Sequence, residues 1–157
     1  MIDLHLRPFQ PGDEAAFRSL NEDWIAKLFA IEEPDRIILG DPIGQILEPG
    51  GHIFMALDQD RTIGCCALVY LREGEYELVK MTVREEYRGQ GIGRELLRFT
   101  IDQARAIGAV RLHLETSWKL TNAIHLYESL GFQHIPPDKR SPSPYARATV
   151  FMELLLR

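Results

Sequence analysis

The chain predicts an α/β fold: one domain, residues 1–157, built on a mixed, mostly antiparallel sheet of about seven strands with helices on both faces. Three observations lead there. His52–Leu57, Thr62–Leu71 and Glu77–Val83 are β-rich runs joined by the short turns Asp58–Arg61 and Arg72–Gly74, the pattern of an antiparallel meander. From Gly91 the apolar residues Ile92, Leu96, Leu97, Ile101 and Ala104 recur at helical spacing, and Val110–Thr116 alternates as a strand. A strand, helix, strand order makes that last strand a parallel neighbour of Leu78–Val83 through a right-handed crossover.

Taken in order, Leu4–Phe9 reads as a first strand ended by Pro11-Gly12. Asp13 is placed to N-cap a helix whose apolar stripe is Ala16, Phe17, Leu20, Trp24, Ile25 and Leu28, and Pro34 interrupts the pattern. Asp41-Pro42 reads as the cap and first position of another short helix, closed by Pro49-Gly50-Gly51. Helix Ile92–Ile107 ends at Gly108, a natural C-cap. Lys119–Leu130 is the next helix and Phe132–Ile135 a short strand. Pro136–Pro144 is a loop rich in Pro, Ser and charge, and Tyr145–Leu156 reads as the closing strand.

A chain of 157 residues is long enough for a proper core, and 45% hydrophobic residues is an ordinary globular value. No apolar run is long enough to cross a membrane, and Met1-Ile-Asp-Leu-His lacks the regions of a signal peptide. The net charge is −5 with scattered basic residues, which disfavours nucleic acid as a partner. Cys65 and Cys66 are adjacent in an apolar run, so they point to opposite faces of a strand, which suggests packing in a reducing cytoplasm rather than a disulfide. The five histidines lack ligand spacing, so no metal is expected.

The informative stretch is Glu77–Gly93, a strand, a short polar turn and a glycine-rich opening of a helix. A helix start carries unpaired N–H groups and partial positive charge, so it can hold an anion, and glycines at 89, 91 and 93 allow close approach of the backbone. A pyrophosphate is the obvious candidate. The Walker pattern is absent, and the dinucleotide fingerprint fails because its sixth place is Arg94. What fits is Arg-x-x-Gly-x-Gly at Arg88, Gly91 and Gly93.

After a strand like this one, that loop resembles the acetyl-CoA loop of the GNAT superfamily of N-acetyltransferases. A second motif, Asn122 through Tyr127 to Gly131-Phe132, resembles the family's Asn…Tyr…Gly-Phe helix and turn. The resemblance implies acetyl-CoA as cosubstrate, held by Met81, Thr82, Val83, Arg88, Gly89, Gln90, Gly91, Ile92, Gly93, Arg94, Asn122 and Tyr127. It also implies a small-molecule or peptide amine as acceptor, leaves room for a homodimer, and names no membrane partner.

Two catalytic candidates follow from the resemblance. Glu77 lies eleven positions before Arg88, the offset of the strand glutamate that serves as base in several such enzymes, and Glu75 is a decoy beside it. An alkyl ammonium, with a pKa of about 10, needs such help at neutral pH, directly or through a water relay. Tyr127 matches the family's general acid, although it also lies on the apolar stripe Leu120, Ala123, Ile124, Tyr127, Leu130. The N–H of Met81 or Val79 would stabilise the oxyanion, and Met81–Val83 would pair with the pantetheine arm. Trp24, Phe29 and the acids Glu22, Asp23, Glu32 and Glu33 fall in the region that walls the family's acceptor site. Those acids read either as a solvated helix face or as a rim that attracts a cationic amine. Two other readings stand beside the enzyme: a coenzyme A-binding regulatory module without turnover, and the same scaffold using another acyl donor or an alcohol acceptor.

Overall fold

A computed structural model describes residues 2–156, so Met1, which opens the signal-peptide reading, lies outside the described residues. The strands are β1 (Leu4–Pro8), β2 (His52–Asp58), β3 (Arg61–Arg72), β4 (Glu75–Val83), β5 (Arg111–Thr116), β6 (Gln133–His134) and β7 (Val150–Leu155). They form one sheet in the order β1-β2-β3-β4-β5-β7-β6. Pairing is antiparallel throughout except between β4 and β5, which run parallel as the crossover requires.

The helices α1 (Glu14–Leu28), α2 (Glu33–Gly40), α3 (Ile92–Ala106) and α4 (Thr121–Ser129) divide between the two faces. Phe17, Leu20 and Leu39 of α1 and α2 pack on Ile53, Met55, Cys65 and Ala67. On the opposite face Leu96, Leu97 and Ile101 of α3 and Tyr127 of α4 pack on Cys66, Leu78, Leu112 and Leu114. Cys65 and Cys66 thus enter different cores, as strand alternation demands. Both are free thiols with no exposed surface, and burial pushes Cys66 up to about 12, so neither is reactive at neutral pH.

Several sequence expectations are corrected. Pro34 does not break a helix; it sits in the first turn of α2, where its missing N–H has no partner to lose. A reciprocal capping box between Glu32 and Asp35 starts that helix. Asp13 is the N-cap residue of α1 by position, but its carboxylate takes the Arg7 guanidinium and the Gln10 N–H instead of a helix amide. The short helix expected after Asp41-Pro42 is present as Ile43–Leu47, wound as a wide π turn, and the Asp41 carboxylate accepts the Gly44 N–H at its start. The closing strand begins at Val150, and Tyr145–Ala148 forms a turn instead.

Two local departures in β4 shape everything that follows. Cys65 pairs with Thr82 and Ala67 with Val79, so β4 carries one extra residue, a bulge at Lys80-Met81. Lys80 takes φ +53°, in the left-handed region where a side chain is strained. The extra residue shifts the alternation. Leu78, Met81 and Val83 face α3 and α4, while Val79 packs toward α1 and the Lys80 side chain crosses to α2. Second, the β4–β5 ladder stops at Glu77–His113, and the two strands part. Beyond that point the β5 side of β4 has no strand partner.

Candidate active site

The parted strands open a pocket with about 540 Å³ of empty space, open to solvent. Its floor is Glu77, Val79 and Lys80 of β4 with Glu115, Thr116 and Ser117 at the end of β5. Trp24 and Phe29, at the end of α1, form one wall, and Tyr145, Arg147 and Ala148 form another. A second cleft shares Trp24 and runs along Thr82 and Val83 toward Arg84 and Arg88, at the glycine-rich loop. The two clefts meet at Trp24 and between them border β4 from Glu77 to Val83, while Gly89–Gly93 line neither.

Glu77 is half-buried, and among the described residues no side chain hydrogen-bonds its carboxylate. Burial raises its pKa most, the neighbouring Glu115 charge adds to the rise, and Lys80 opposes it; the carboxyl titrates at about 7 instead of near 4.5. Glu75 differs completely. It is held by His113 at 2.8 Å and Arg72 at 2.8 Å, and its pKa is lowered. The decoy is thus a structural ion pair, and the neutral-range carboxyl is Glu77.

Tyr127 is buried on α4 against Phe132, with its hydroxyl 3.8 Å from the Met81 sulfur across the bulge. Burial raises its pKa, so the hydroxyl keeps its proton. It belongs to the core with Met81 packed beside it, and neither residue lines the two clefts.

In the loop, Gly89 and Gly91 take φ +77° and +82°, and nothing lies within 4 Å of where a Cβ would stand on either. The conformation calls for glycine, and the space in front of the backbone is open. Gly91 is the N-cap of α3, and the Glu95 N–H closes on its carbonyl at 3.1 Å, leaving the amides before Glu95 as the orphan donors of the first turn. Arg88 and Gln90 are exposed; the Arg88 guanidinium bonds the Val83 carbonyl at 3.0 Å and so ties the loop to β4. The Ile92 side chain goes into the core, leaving only its backbone to face a ligand. A Cβ at Gly93 would stand in ordinary contact with Leu126, Met81 and Val83, at 3.7 to 4.0 Å, so this position borders the junction of α3, α4 and β4 without requiring glycine. Arg94 is half-buried, and Asn122 is exposed in the first turn of α4.

A set of residues invisible to the sequence reading braces the pocket. Asp35, fully buried, takes the Lys80 ammonium at 2.6 Å, the Arg147 guanidinium through two bonds at 2.8 and 2.6 Å, and the Glu32 N–H at 3.0 Å. Burial alone would raise the Asp35 pKa, but the bonds from Arg147 and Lys80 outweigh it and hold the carboxyl at about 2. Glu32 also takes Arg147, and Tyr145 lies under it with 4.3 Å from guanidinium to ring centre. Lys80, Asp35 and Arg147 are distant in the chain and carried no motif. Of the acids expected at an acceptor rim, Glu22 and Glu33 pair with Arg18 and Arg36 on the surface. Asp23 lines the second cleft, and Glu32 is part of this brace. The acidic groups that do line the pocket are Glu77 and Glu115.

The family model described as "Acetyltransferase (GNAT) family" matches residues 3–132, so the chain belongs to the GNAT acetyltransferases. It is 33% identical over 155 residues to the IAA acetyltransferase of Azospirillum brasilense, covering 91% of this chain and 97% of that protein. It is also 33% identical over 99 residues to the uncharacterized N-acetyltransferase YjgM of Escherichia coli, covering 60% of this chain but only 59% of that protein. Among solved structures, a GNAT-family acetyltransferase from Staphylococcus aureus superposes with a TM-score of 0.88 at 20% identity, over 98% of this chain and 99% of its own. The yncA protein of Salmonella typhimurium, solved with acetyl-CoA, superposes at 0.77 with 21% identity, over 98% and 94% of the two chains. Among the described residues no helix is long and apolar enough to cross a membrane.

Asp35 makes a prediction on stability. Asp35→Asn leaves two cations facing each other inside the brace, so the folded state should lose about 3–5 kcal/mol in urea unfolding at pH 7. The native carboxyl is held below its ordinary value, so its contribution is full above about pH 4 and fades as pH falls toward about 2. The deficit of the variant should therefore shrink with acidification. An Asp35→Asn protein as stable as the parent at pH 7 would contradict the brace.

Proposed function

We propose that this chain is an acetyl-CoA-dependent N-acetyltransferase acting on the primary amine of a small molecule or peptide, with residues 1–157 working as one such domain. The observation that carries the reading is Glu77: a carboxyl that titrates at about 7, without an ion-pair partner, in a pocket beside the free edge of β4. A regulatory module without turnover has no use for that group. The neighbour solved with acetyl-CoA supports the cosubstrate, and the open, left-handed glycines of the loop fit a pyrophosphate. The Azospirillum relative is named for IAA, and that name alone does not carry over to the acceptor here.

On this reading the amides of Gly89–Arg94 would hold the pyrophosphate, and the edge Met81–Val83 would pair with the pantetheine arm as an added strand. Arg88 holds the loop against β4, and Asn122 stands at the start of α4 for a further coenzyme contact. Bound acetyl-CoA supplies the acetyl group as an activated thioester.

The chain's own residues do the rest. Glu77 takes a proton from the acceptor ammonium, directly or through water, so that the freed nitrogen forms the new C–N bond. The N–H of Met81 or Val79 stabilises the charge that builds on the carbonyl oxygen, and the bulge frees backbone groups at this point. As the C–S bond breaks, Tyr127 holds at its hydroxyl the proton that the departing sulfur needs.

Two substitutions test these roles. Glu77 is ionised above about pH 7, so kcat/KM should rise with pH through that value. Glu77→Gln should abolish this limb, lower the rate most near neutral pH and recover in part at high pH, where the amine is already free. Acetyl-CoA affinity should hold. The folded carboxyl is raised above its ordinary value of 4.5, so its contribution to stability is present below that pH and lost as pH rises through about 7. Relative to the parent, Glu77→Gln should gain thermal stability at pH 8 more than at pH 4. A uniform rate loss at every pH would reject the base.

For Tyr127→Phe the expected outcome is unchanged acetyl-CoA affinity with turnover slowed on the order of 10²-fold. Parental turnover, with chemistry shown to be rate-limiting, would reduce Tyr127 to a packing residue.

A further inference from the structure

We propose that Glu115 joins Glu77 in a two-carboxylate seat for the acceptor's ammonium, and that the acceptor is therefore a cationic primary amine with no carboxylate beside its nitrogen. The inference rests on the function proposed above and names its substrate class.

Alternation puts Glu75 and Glu77 of β4, Arg111, His113 and Glu115 of β5, and Glu153 of β7 on one face of the sheet; Glu77, His113 and Glu153 share one rung, and Glu115 lies one same-face step past it, where β4 and β5 have parted. Two of these four carboxylates have cations: Glu75 has Arg72 and His113, and Glu153 has Arg111 at 3.5 Å. Among the described residues Glu77 and Glu115 have none within ion-pair distance, and they are the two that line the pocket. Glu115 accepts only the Ser143 hydroxyl. Two half-buried carboxylates side by side repel, and an ammonium between them relieves the repulsion.

The other charged groups around the pair are committed. Lys80 and Arg147 also line the pocket, but Asp35 and Glu32 already hold and offset their charges. His113 and Glu75 satisfy each other, and the Tyr145 hydroxyl contacts the Lys80 ammonium. Lys119 is exposed at the rim above the Phe29 ring. What remains for the body of the acceptor is Trp24, Phe29, Leu120 and Tyr145, an apolar and aromatic surface. Glu115 has a chemical role as well. A bound ammonium alone would make Glu77 a poorer base, and the fixed charge of Glu115 preserves its proton affinity.

The test uses the full chain saturated with coenzyme A and three matched probes: 2-phenylethylamine, phenylalanine amide and phenylalanine. Calorimetry should show the first two binding and phenylalanine binding at least about tenfold more weakly, because its carboxylate would meet two like charges. Glu115→Gln should weaken 2-phenylethylamine by about tenfold, and Glu115→Asp, which keeps the charge, should restore much of the affinity. Removing the charge should also move the acid limb of kcat/KM to lower pH, a change that damage to packing does not produce. The seat is refuted if phenylalanine binds as tightly as its amide, if none of the three probes binds, or if folded Glu115→Gln keeps parental amine affinity and pH limb. Should Glu115→Gln fail to fold, the comparison of probes on the parent protein still decides. Amines that bind in this order but are never acetylated would overturn the enzyme and leave the seat standing.

Discussion

The bulge at Lys80 and the parting of β4 from β5 together determine the shape and the charge of the pocket. A parallel pair that stayed zipped to Val83 would cover the β4 edge and close the space beside Glu77. Instead the ladder ends at Glu77–His113, and the extra residue in β4 sends Lys80 toward α2 while Met81 turns back to the α3 and α4 core. The inserted residue points a cation at Asp35 and brings Met81 to the Tyr127 hydroxyl, and the parting from β5 leaves that side of β4 without a strand partner.

A splayed sheet with a buried lysine and a left-handed backbone needs support from elsewhere. The Asp35 brace supplies it by joining the start of α2, the bulge of β4 and the turn before β7 through one carboxylate. Its three bonded groups leave Asp35 ionised, and so Lys80 and Arg147 are occupied. The balance of charge in the pocket then passes to Glu77 and Glu115. Burial raises both carboxyls, but the donors around Asp35 outweigh it and pin that group at about 2, while Glu77, which no side chain among the described residues hydrogen-bonds, rises to about 7. An ion-paired acid and one that titrates near neutrality arise in the same site from the presence or absence of hydrogen-bond donors.

Much of this was legible in the sequence where period or turn chemistry is strong. The meander to β4, the α3 stripe, the parallel β5 and the split of Cys65 from Cys66 all follow from alternation and spacing. Glu77 was legible through its distance from Arg88, and its resemblance to a known pattern separated it from Glu75. The bulge was not, because Leu78–Val83 is a short apolar run in which one extra residue leaves no trace. Asp35, Lys80, Tyr145 and Arg147 come from separate segments, and no local signal links them. Pro34 was read as a breaker because its position relative to the Glu32 cap is visible only once the helix start is known. Glu115 read simply as one position in an alternating strand.

In the opened sheet Glu77 stands as a carboxyl poised at neutral pH. Carbon-13 NMR of the side-chain carboxyls, with Glu77 assigned from its loss in a Glu77→Gln sample, measures this directly and needs no acceptor. The expected titration midpoint for Glu77 is near 7. A midpoint near 4.5 would contradict it, and with it the role of the pocket as the place where a proton is taken.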